Sequence, residues 1–235
     1  MKYEHVGIIC AMETEAKAIL AALEHPEEKK IGSLVFSTGN LGDRKVTVAV
    51  CGIGKVFAAM CAQSMILSFS PDCILNSGVA GSLTDRLSIL DIAVSDHLVQ
   101  HDMDTTPLGD PPGLISGINQ VKFPAAPDLK KAVLRRAEDM GISALSGTIA
   151  SGDQFIARKE QKERILSLFS PIACEMEGAA IAQVAFCNRV PLCVIRAISD
   201  SYSGQNEMDY AEFVHKAAAR SSALLISLLS DHTAL

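Results

Sequence analysis

The sequence alternates short apolar runs with longer segments whose apolar residues recur every three or four positions. This alternation is typical of α/β domains, in which helices connect buried strands and pack on the sheet. The apolar runs predict strands at Val6–Met12, Val46–Cys51, Cys73–Leu75, Ile92–Ser95, Thr148–Ser151 and Val190–Ile198. The segments of helical period predict helices at Glu13–Leu23, Val56–Ser68, Leu129–Met140, Arg158–Phe169, Gly178–Phe186 and Tyr210–Leu229. The order of these elements predicts an α/β domain with a largely parallel sheet.

Two further segments refine this prediction. Leu34–Thr38 and Val46–Cys51 are separated by Gly39–Lys45, and we interpret them as a hairpin. Asp104–Asn119 is the only long irregular stretch, and its prolines and length indicate a functional loop rather than a linker. No shift in composition marks a domain boundary within the 235 residues. We therefore expect residues 1–235 to form a single domain.

Composition excludes several classes of protein. Hydrophobic residues make up 49% of the chain, which is too much apolar surface for a disordered protein. Twenty-one lysines and arginines stand against 27 aspartates and glutamates, a net charge of −6 without a basic run. Nucleic acid is therefore a poor candidate partner, because its phosphate backbone is bound through clustered basic residues.

Hydropathy and cysteine usage indicate the compartment. No apolar run approaches the ~20 residues of a membrane helix, and Glu13 interrupts the first apolar run too early for a secretory signal. The seven cysteines are odd in number, lack C-x-x-C spacing and lie mostly in apolar stretches. Buried, reduced thiols in a cytoplasmic protein fit this pattern better than disulfides or zinc ligands.

Small or acidic residues follow nearly every predicted strand. Ligands of α/β sheets bind beyond the carboxyl ends of the strands, where glycine lets a ligand approach the backbone. The strand ends therefore predict one shared pocket. They are Ala11–Glu15, Gly52–Gly54, Ser77–Gly81, Ser151–Asp153 and Ser199–Asp200.

Generic nucleotide and nucleophile motifs do not fit. Gly52-Ile53-Gly54 begins like a dinucleotide fingerprint, but Phe57 occupies the place of the third glycine, which argues against NAD. A Walker loop is excluded because Ala49 replaces its first glycine and Val56 follows Lys55. The sequence also has no G-x-S-x-G elbow and no cysteine in a recognisable nucleophile motif.

His97 and His101 are four residues apart, with Asp102 and Asp104 close behind. This spacing would put both imidazoles on one face of a strand, so a metal site is one interpretation. Histidines at a strand end that bond to neighbouring carboxylates explain the cluster at least as well. The sequence leaves both interpretations open and favours histidines bonded to carboxylates over a metal site.

The acidic residues give a stronger signal. Glu15 follows the first strand at the start of a helix, where an acid also favours the positive end of the helix dipole. Glu175 and Glu177 lie in a segment that is otherwise apolar or small, and Asp200 ends a buried apolar strand. A carboxyl group in a low-dielectric pocket has a raised pKa, which suits a general acid.

Six collinear motifs together resemble one family, the bacterial 5′-methylthioadenosine/S-adenosylhomocysteine nucleosidases of the purine nucleoside phosphorylase fold. The resemblance implies a three-layer αβα domain with a central mixed sheet. It covers nearly the whole chain. The motifs are Gly7–Glu15, Gly52–Val56, Asn76–Gly81, Ser151–Ile156, Glu175–Glu177 and Arg196–Asp200.

This resemblance implies roles for individual residues. Glu15 resembles the general base that activates the water attacking C1′ of the ribose. Asp200 resembles the acid that protonates N7 of adenine, with Ser199 orienting it. Glu177 matches the residue that binds the ribose 2′- and 3′-hydroxyls, beside Met176, which packs on the sugar. No metal or organic cofactor is implied.

Other positions match the residues that surround the substrate. Phe155 would stack on the purine, and the backbone of Ile156 would read the adenine edge. Arg196 matches a residue near the attacking water, and Tyr210 matches an aromatic residue that closes the site. The remaining expected substrate contacts are Val79, Ala80, Gly81, Met12 and Ile53.

Two departures from the family pattern concern the water and the thio substituent. Val79 replaces a serine that helps to hold the water, which leaves that task to Arg196 and Glu15. The segment Asp104–Gly113 is shorter than the family's loop, which reaches into the pocket of a neighbouring subunit. In a homodimer, Leu108 and Pro112 would then line the partner's alkylthio pocket.

The expected reaction is hydrolysis of the N-glycosidic bond of 5′-methylthioadenosine and S-adenosylhomocysteine. Adenine is a poor anionic leaving group, so an acid must neutralise it while carboxylates stabilise the oxocarbenium-like ribose. Two alternatives remain: a phosphorolytic purine nucleoside phosphorylase on the same fold, and a nucleoside-binding sensor without catalysis. Acids on both sides of the glycosidic bond argue against the sensor, because binding alone does not require them.

Overall fold

Strands and helices alternate along the chain. The computed structural model describes residues 3–202, 206–231 and 234–235, with the backbone alone at 206–209. The strands are β1 (His5–Cys10), β2 (Glu24–Ile31), β3 (Leu34–Leu41), β4 (Arg44–Val50), β5 (Cys73–Ser82), β6 (Ile92–Gln100), β7 (Phe123–Pro124), β8 (Ala144–Ser151), β9 (Ala173–Glu175) and β10 (Leu192–Asp200). The helices are α1 (Glu13–Ala22), α2 (Lys55–Phe69), α3 (Pro127–Asp139), α4 (Lys159–Phe169), α5 (Gly178–Asn188) and α6 (Asn206–Leu229).

The strands form one mixed sheet, as expected. Its order is β10-β6-β8-β9-β5-β1-β4-β3-β2, and β7 pairs with β6. Because β10 also pairs with β5, the strands from β10 to β5 close on themselves, and β1, β4, β3 and β2 extend from this closed part. One apolar cluster joins α1, α3 and α6 to the sheet, and a second joins α2 and α5 to it.

Parallel pairing sets the position of the site. β5 pairs in parallel with β1 on one side and with β10 on the other. All nine residues of β10 are buried, which explains its continuous apolar sequence. The carboxyl ends of these three strands therefore reach the same edge of the sheet.

The structure corrects several predicted boundaries. The predicted hairpin is confirmed, because β3 pairs in antiparallel with β4, but its turn is shorter than Gly39–Lys45. β3 continues to Leu41, and the turn is Gly42-Asp43, where Gly42 has φ +61°. A positive φ is most easily adopted by glycine, so the turn forms there. β5 continues from the predicted Leu75 through the glycine-containing segment to Ser82.

Three strands, β2, β7 and β9, were not predicted from the sequence. β2 is a charged edge strand that pairs only with β3 among the described residues, and it shows no apolar alternation. β9 has three residues and lies between β5 and β8. β7 has two residues and pairs with β6. β2 lacks the apolar period, and β7 and β9 lack the length, on which the predictions depend.

The remaining segments agree with the sequence analysis. Asp104–Asn119 is largely irregular, with a 3₁₀ turn at Thr106–Leu108 and a bridge between Ile115 and Gln120. All seven cysteines are described and are free thiols, and Cys187 alone among them is exposed. None of the helices in the described ranges is long and apolar enough to cross a membrane.

Candidate active site

A cavity lies where the carboxyl ends of β1, β5 and β10 meet. Most of the residues that line it belong to the strand ends that the sequence analysis groups together or directly follow them, whereas Cys174–Glu177 belong to β9 and the residues after it, and Tyr210 lies on α6. The structure brings all fourteen expected site residues to this cavity: Met12, Glu15, Ile53, Val79, Ala80, Gly81, Phe155, Ile156, Met176, Glu177, Arg196, Ser199, Asp200 and Tyr210. Four further lining residues were not assigned a role: Ala11, Gln154, Cys174 and Glu175.

Glu15 lies in the first turn of α1 and is buried, with 2% of its surface exposed. Its Oε2 accepts hydrogen bonds from the backbone N–H groups of Ala11 and Met12, each 2.9 Å away. Oε1 accepts a third bond, from Val79 N at 3.0 Å. Burial raises the pKa of Glu15, while Arg196 and these N–H groups act in the opposite direction. A pKa raised toward neutrality makes the carboxylate a better base.

Two glycines of β5 make room for the acidic groups. A Cβ atom at Gly78 would lie 2.9 Å from Cδ of Glu15, and one at Gly81 would lie 2.7 Å from Oδ2 of Asp200. At ~3.3 Å per residue, the two glycines are about 10 Å apart along the strand. One strand therefore contacts both carboxyl groups, at positions three residues apart.

Arg196 is the buried cation of the site. Its Nη2 donates to Glu175 and to the side chain of Asn76, and it lies 3.6 Å from Oε2 of Glu177. Burial lowers the pKa of Arg196, but Glu175, Glu177 and Glu15 raise it overall, so the guanidinium stays charged. Its buried Nε has no hydrogen-bond partner among the described residues. A buried N–H without a protein partner is a place for a water molecule or a substrate atom.

Glu177 stands at the N-cap of α5, and its Oε1 accepts a hydrogen bond of 2.8 Å from Gly54 N. Burial and the neighbouring Glu175 raise the pKa of Glu177 to about 7, although Arg196 lowers it. The short loop between β4 and α2 therefore meets β9 and α5 at this carboxylate.

Glu175 is an acidic residue of the site to which the sequence analysis gave no role. It accepts hydrogen bonds from Ser151 Oγ, Arg196 Nη2, Glu177 N at 3.0 Å and Gly178 N at 2.7 Å. It thus caps α5 and fixes the guanidinium. The sequence shows Glu175 and Glu177 in one apolar segment, but it does not show which of the two carboxylates binds Arg196 and which faces the substrate.

Asp200 ends β10 and is 2% exposed. The hydroxyl of Ser199 donates to its Oδ1 at 2.9 Å, as the resemblance implies for an orienting serine. Cys174 lines the same cavity. Burial and, to a smaller extent, the carboxylate of Asp200 raise the pKa of the Cys174 thiol.

Two aromatic rings flank the entrance of the cavity. Phe155 is half exposed, and its ring centroid is 5.5 Å from that of Tyr210 in an edge-to-face arrangement of 77°. The Tyr210 hydroxyl points to Met12 Sδ at 3.6 Å. An open apolar slot beside a ring suits a planar heterocycle.

The histidines do not gather at one site. His97 is exposed beside Asp96, with Nδ1 and Oδ1 3.3 Å apart, whereas His101 lies past the end of β6 against Gly152. Burial lowers the pKa of His101. Within residues 3–202, 206–231 and 234–235, no group of three or more His, Cys, Asp or Glu side chains could hold a metal ion.

The fold and the cavity place the chain in the phosphorylase superfamily. The sequence model of the phosphorylase superfamily matches residues 5–230. A 5′-methylthioadenosine/S-adenosylhomocysteine nucleosidase of Staphylococcus aureus is 38% identical over 227 residues, which cover 96% of this chain and 99% of the relative.

Solved structures with the same fold include nucleosidases of this family. A nucleosidase of the same name from Helicobacter pylori, in complex with a pyrrolidine compound that carries an amino-pyrrolopyrimidine, has a TM-score of 0.91 and 38% identity, covering 97% of this chain and 98% of that one. A futalosine hydrolase of H. pylori strain 26695 has a TM-score of 0.91 and 37% identity, covering 96% and 97%. The chain belongs to the 5′-methylthioadenosine/S-adenosylhomocysteine nucleosidase family, whose members are N-glycosidic hydrolases.

Proposed function

We propose that this protein hydrolyses 5′-methylthioadenosine and S-adenosylhomocysteine to adenine and the corresponding 5′-thioribose. The observation that carries the proposal is the pair of buried acids, Glu15 and Asp200, spaced along β5 in one cavity. Two carboxyl groups with room for a sugar and a water between them is the geometry of an inverting glycosidase.

The two acids differ in their surroundings, and this supports different roles. Glu15 lies beside Arg196, whose Nε has no partner among the described residues, and a water bound there would stand next to a base. Asp200 lies beside Ser199 and below the slot formed by Phe155, where it would protonate N7 of the leaving adenine. Glu177 would accept hydrogen bonds from the ribose hydroxyls.

Charge supports hydrolysis over phosphorolysis. A phosphorylase must hold a phosphate dianion beneath the ribose, which requires cations that are available to it. Here Arg196 is engaged by Glu175 and Asn76, and Lys55 Nζ is 2.7 Å from Asp102 Oδ1. The buried carboxylates of Glu15 and Glu177 would also repel the dianion.

The experiment measures adenine release from 5′-methylthioadenosine, S-adenosylhomocysteine and futalosine, with and without phosphate. We expect the two thio-nucleosides to react at rates that phosphate does not change and to give a free sugar. A sugar 1-phosphate, or a loss of rate in phosphate-free buffer, would assign the protein as a phosphorylase. Binding without adenine release would assign it as a sensor, and preference for futalosine would change the substrate.

Isosteric variants test the two roles. Glu15→Gln and Asp200→Asn each remove proton transfer while keeping the side-chain shape. General acids and bases contribute ~10²–10⁴-fold, so each variant should lose at least ~100-fold in kcat. Glu163→Gln, an exposed change on α4, is the control and should keep wild-type activity. A variant at either acid that retains more than about a tenth of the rate would contradict its role.

The protein also fits a homodimer whose partner completes the cavity. Ile53 lines the cavity and is 54% exposed, and it begins an exposed apolar row along α2. Leu108, in the 3₁₀ turn of the irregular segment, is 82% exposed. Its exposed side chain, with Pro112, would line the partner's alkylthio pocket. The reduced thiols are consistent with a cytoplasmic protein.

A further inference from the structure

Lys162 is a buried lysine on a helix whose other charged residues are exposed. It lies in the first turn of α4 and is 4% exposed, whereas Lys159, Glu160, Glu163 and Arg164 face solvent. An ammonium group in this position has two free-energy costs. It is desolvated, and it lies near the positive end of the helix dipole. Specific partners must offset both costs.

The Lys162 ammonium contacts the two residues that follow the proposed acid. Nζ donates to the carbonyl oxygens of Ser201 at 3.2 Å and Tyr202 at 2.8 Å. The ammonium also lies 5.5 Å from the centroid of the Tyr202 ring, within range of a cation–π interaction. Ser201 and Tyr202 directly follow Asp200 in the sequence. Lys162 therefore holds the backbone of the two residues that follow Asp200.

The same helix packs against the segment that would hold the base. Ile165 and Phe169 of α4 form an apolar cluster with Ile156 and Cys174. Burial and Asp200 raise the pKa of the Cys174 thiol, and Lys162 lowers it, so both charges act on one sulfur atom. Lys162 and Asp200 both act on Cys174, and α4 contacts both the residues that follow Asp200 and Ile156.

We propose that Lys162 is a positioning residue: its ammonium fixes the Ser201–Tyr202 backbone and so sets the orientation of the Asp200 carboxyl group toward the leaving base. This inference rests on the proposed function. Lys162 touches no substrate atom in this role and acts only through Asp200. A misplacement of about 1 Å at a reacting group costs up to ~100-fold in rate, so the effect is measurable.

The choice of leaving group separates this role from general support of the pocket. Adenine needs a proton from Asp200 to depart, whereas 4-nitrophenolate leaves as a stable anion. A residue that acts through the acid should therefore matter for 5′-methylthioadenosine and hardly matter for the 4-nitrophenyl 5-methylthioriboside. A residue that only supports the pocket should affect both substrates alike.

The test compares Lys162→Met with Lys162→Arg and with Lys159→Met, a control at an exposed position of the same helix. For Lys162→Met we expect kcat on 5′-methylthioadenosine to fall ~10–100-fold, with KM and the rate on the nitrophenyl substrate within about threefold of wild type. Lys162→Arg should recover part of the loss. Equal losses on both substrates, or no loss on either, would overturn the proposal.

Hydrogen exchange tests the tether without an assay of activity. Backbone amides around Ser201 and Tyr202 should exchange faster in Lys162→Met than in wild type or Lys159→Met, at a pH where all three variants are folded. Unchanged exchange would overturn the proposal. Failure of the wild-type protein to release adenine would instead contradict the proposed function, and the exchange result would still decide the role of Lys162 in holding this backbone.

Discussion

Three buried carboxyl groups share the guanidinium of Arg196. Glu175 bonds to it directly, Glu177 lies 3.6 Å away, and Glu15 acts on it through the field of the site. If all three were ionised, two negative charges would lie without a cation in a low-dielectric cavity. The structure resolves this by raising the pKa of Glu177 to about 7 and that of Glu15 above its ordinary value. The site therefore holds protons at pH values where exposed glutamates do not.

This arrangement predicts that Glu177 lowers stability at alkaline pH. Its pKa is about 7 when folded and 4.5 in its ordinary state, so the folded protein binds more protons between these values and loses stability as pH rises through 7. Glu177→Gln keeps the acceptor for Gly54 N and removes the charge. We expect it to raise the free energy of unfolding at pH 8 by up to about 3 kcal/mol, and to have little effect near pH 4.

Urea unfolding of wild type and Glu177→Gln at pH 4, 6 and 8 checks this prediction. Glu163→Gln is the matched control, because its side chain is 54% exposed and should show no comparable pH dependence. A Glu177→Gln effect of equal size at all three pH values would show that it acts by packing rather than by charge.

At the scale of the element, β5 acts as the spacer of the site. Its flanking strands β1 and β10 deliver Glu15 and Asp200 to the same edge, and its glycines leave space for their carboxyl groups. The requirement here is close approach and not an unusual backbone angle, since neither Gly78 nor Gly81 has a positive φ.

Gly81→Ala should therefore displace the acid without unfolding the protein. The added Cβ would lie 2.7 Å from Asp200 Oδ2, so the carboxyl group must turn away from its position beside Ser199. We expect kcat on 5′-methylthioadenosine to fall at least ~100-fold, comparable with loss of the acid. Steady-state kinetics on the purified variant measures this.

Gly147→Ala is the matched control for this change. Its added Cβ would also lie 2.7 Å from a neighbour, but that neighbour is Cγ2 of Ile172, away from the lining residues of the cavity. This control should lower the melting temperature and keep kcat per folded molecule. If the two variants lose activity equally, close approach at Gly81 is not what positions Asp200.

At the scale of the whole molecule, the cavity rim continues into an exposed apolar surface. Val56, Phe57, Met60 and Leu67 on α2 are all at least 49% exposed and recur at helical spacing after Ile53. A row of large apolar side chains beside a binding site is typical of a protein–protein interface. The commonest closed assembly is a two-fold dimer.

Met60→Lys should therefore weaken the proposed dimer and lower activity together. A lysine in the centre of the row would be buried without a partner on association. Sedimentation velocity should give a dimer for wild type and a monomer for the variant, with adenine release recovering as protein concentration rises. Leu168→Lys, an exposed change on α4, is the control and should remain dimeric. A fully active wild-type monomer would contradict the proposal.

Local sequence signals explain which elements could be predicted. The helices and the buried strands have apolar period or apolar runs, so α1 to α6 and β1, β3, β4, β5, β6, β8 and β10 were located, although several ends differ by a few residues. β2, β7 and β9 carry no such signal, because β2 is a charged edge strand and β7 and β9 are only two and three residues long. Their pairing partners are distant in sequence, and only the folded chain brings them together.

The sequence alone determined the α/β class and the common edge of the strand ends, because periodicity and order along the chain are local properties. The resemblance of its motifs to a known family indicated the other residues that meet there. Tertiary structure decided the electrostatics. It brought Glu175 into contact with Arg196 and raised the pKa of Glu177. It also packed Asp200 against Gly81 and buried Lys162 against the residues that follow Asp200. Each of these depends on contacts across long stretches of sequence and on exclusion of water, neither of which is encoded in the spacing of residue types.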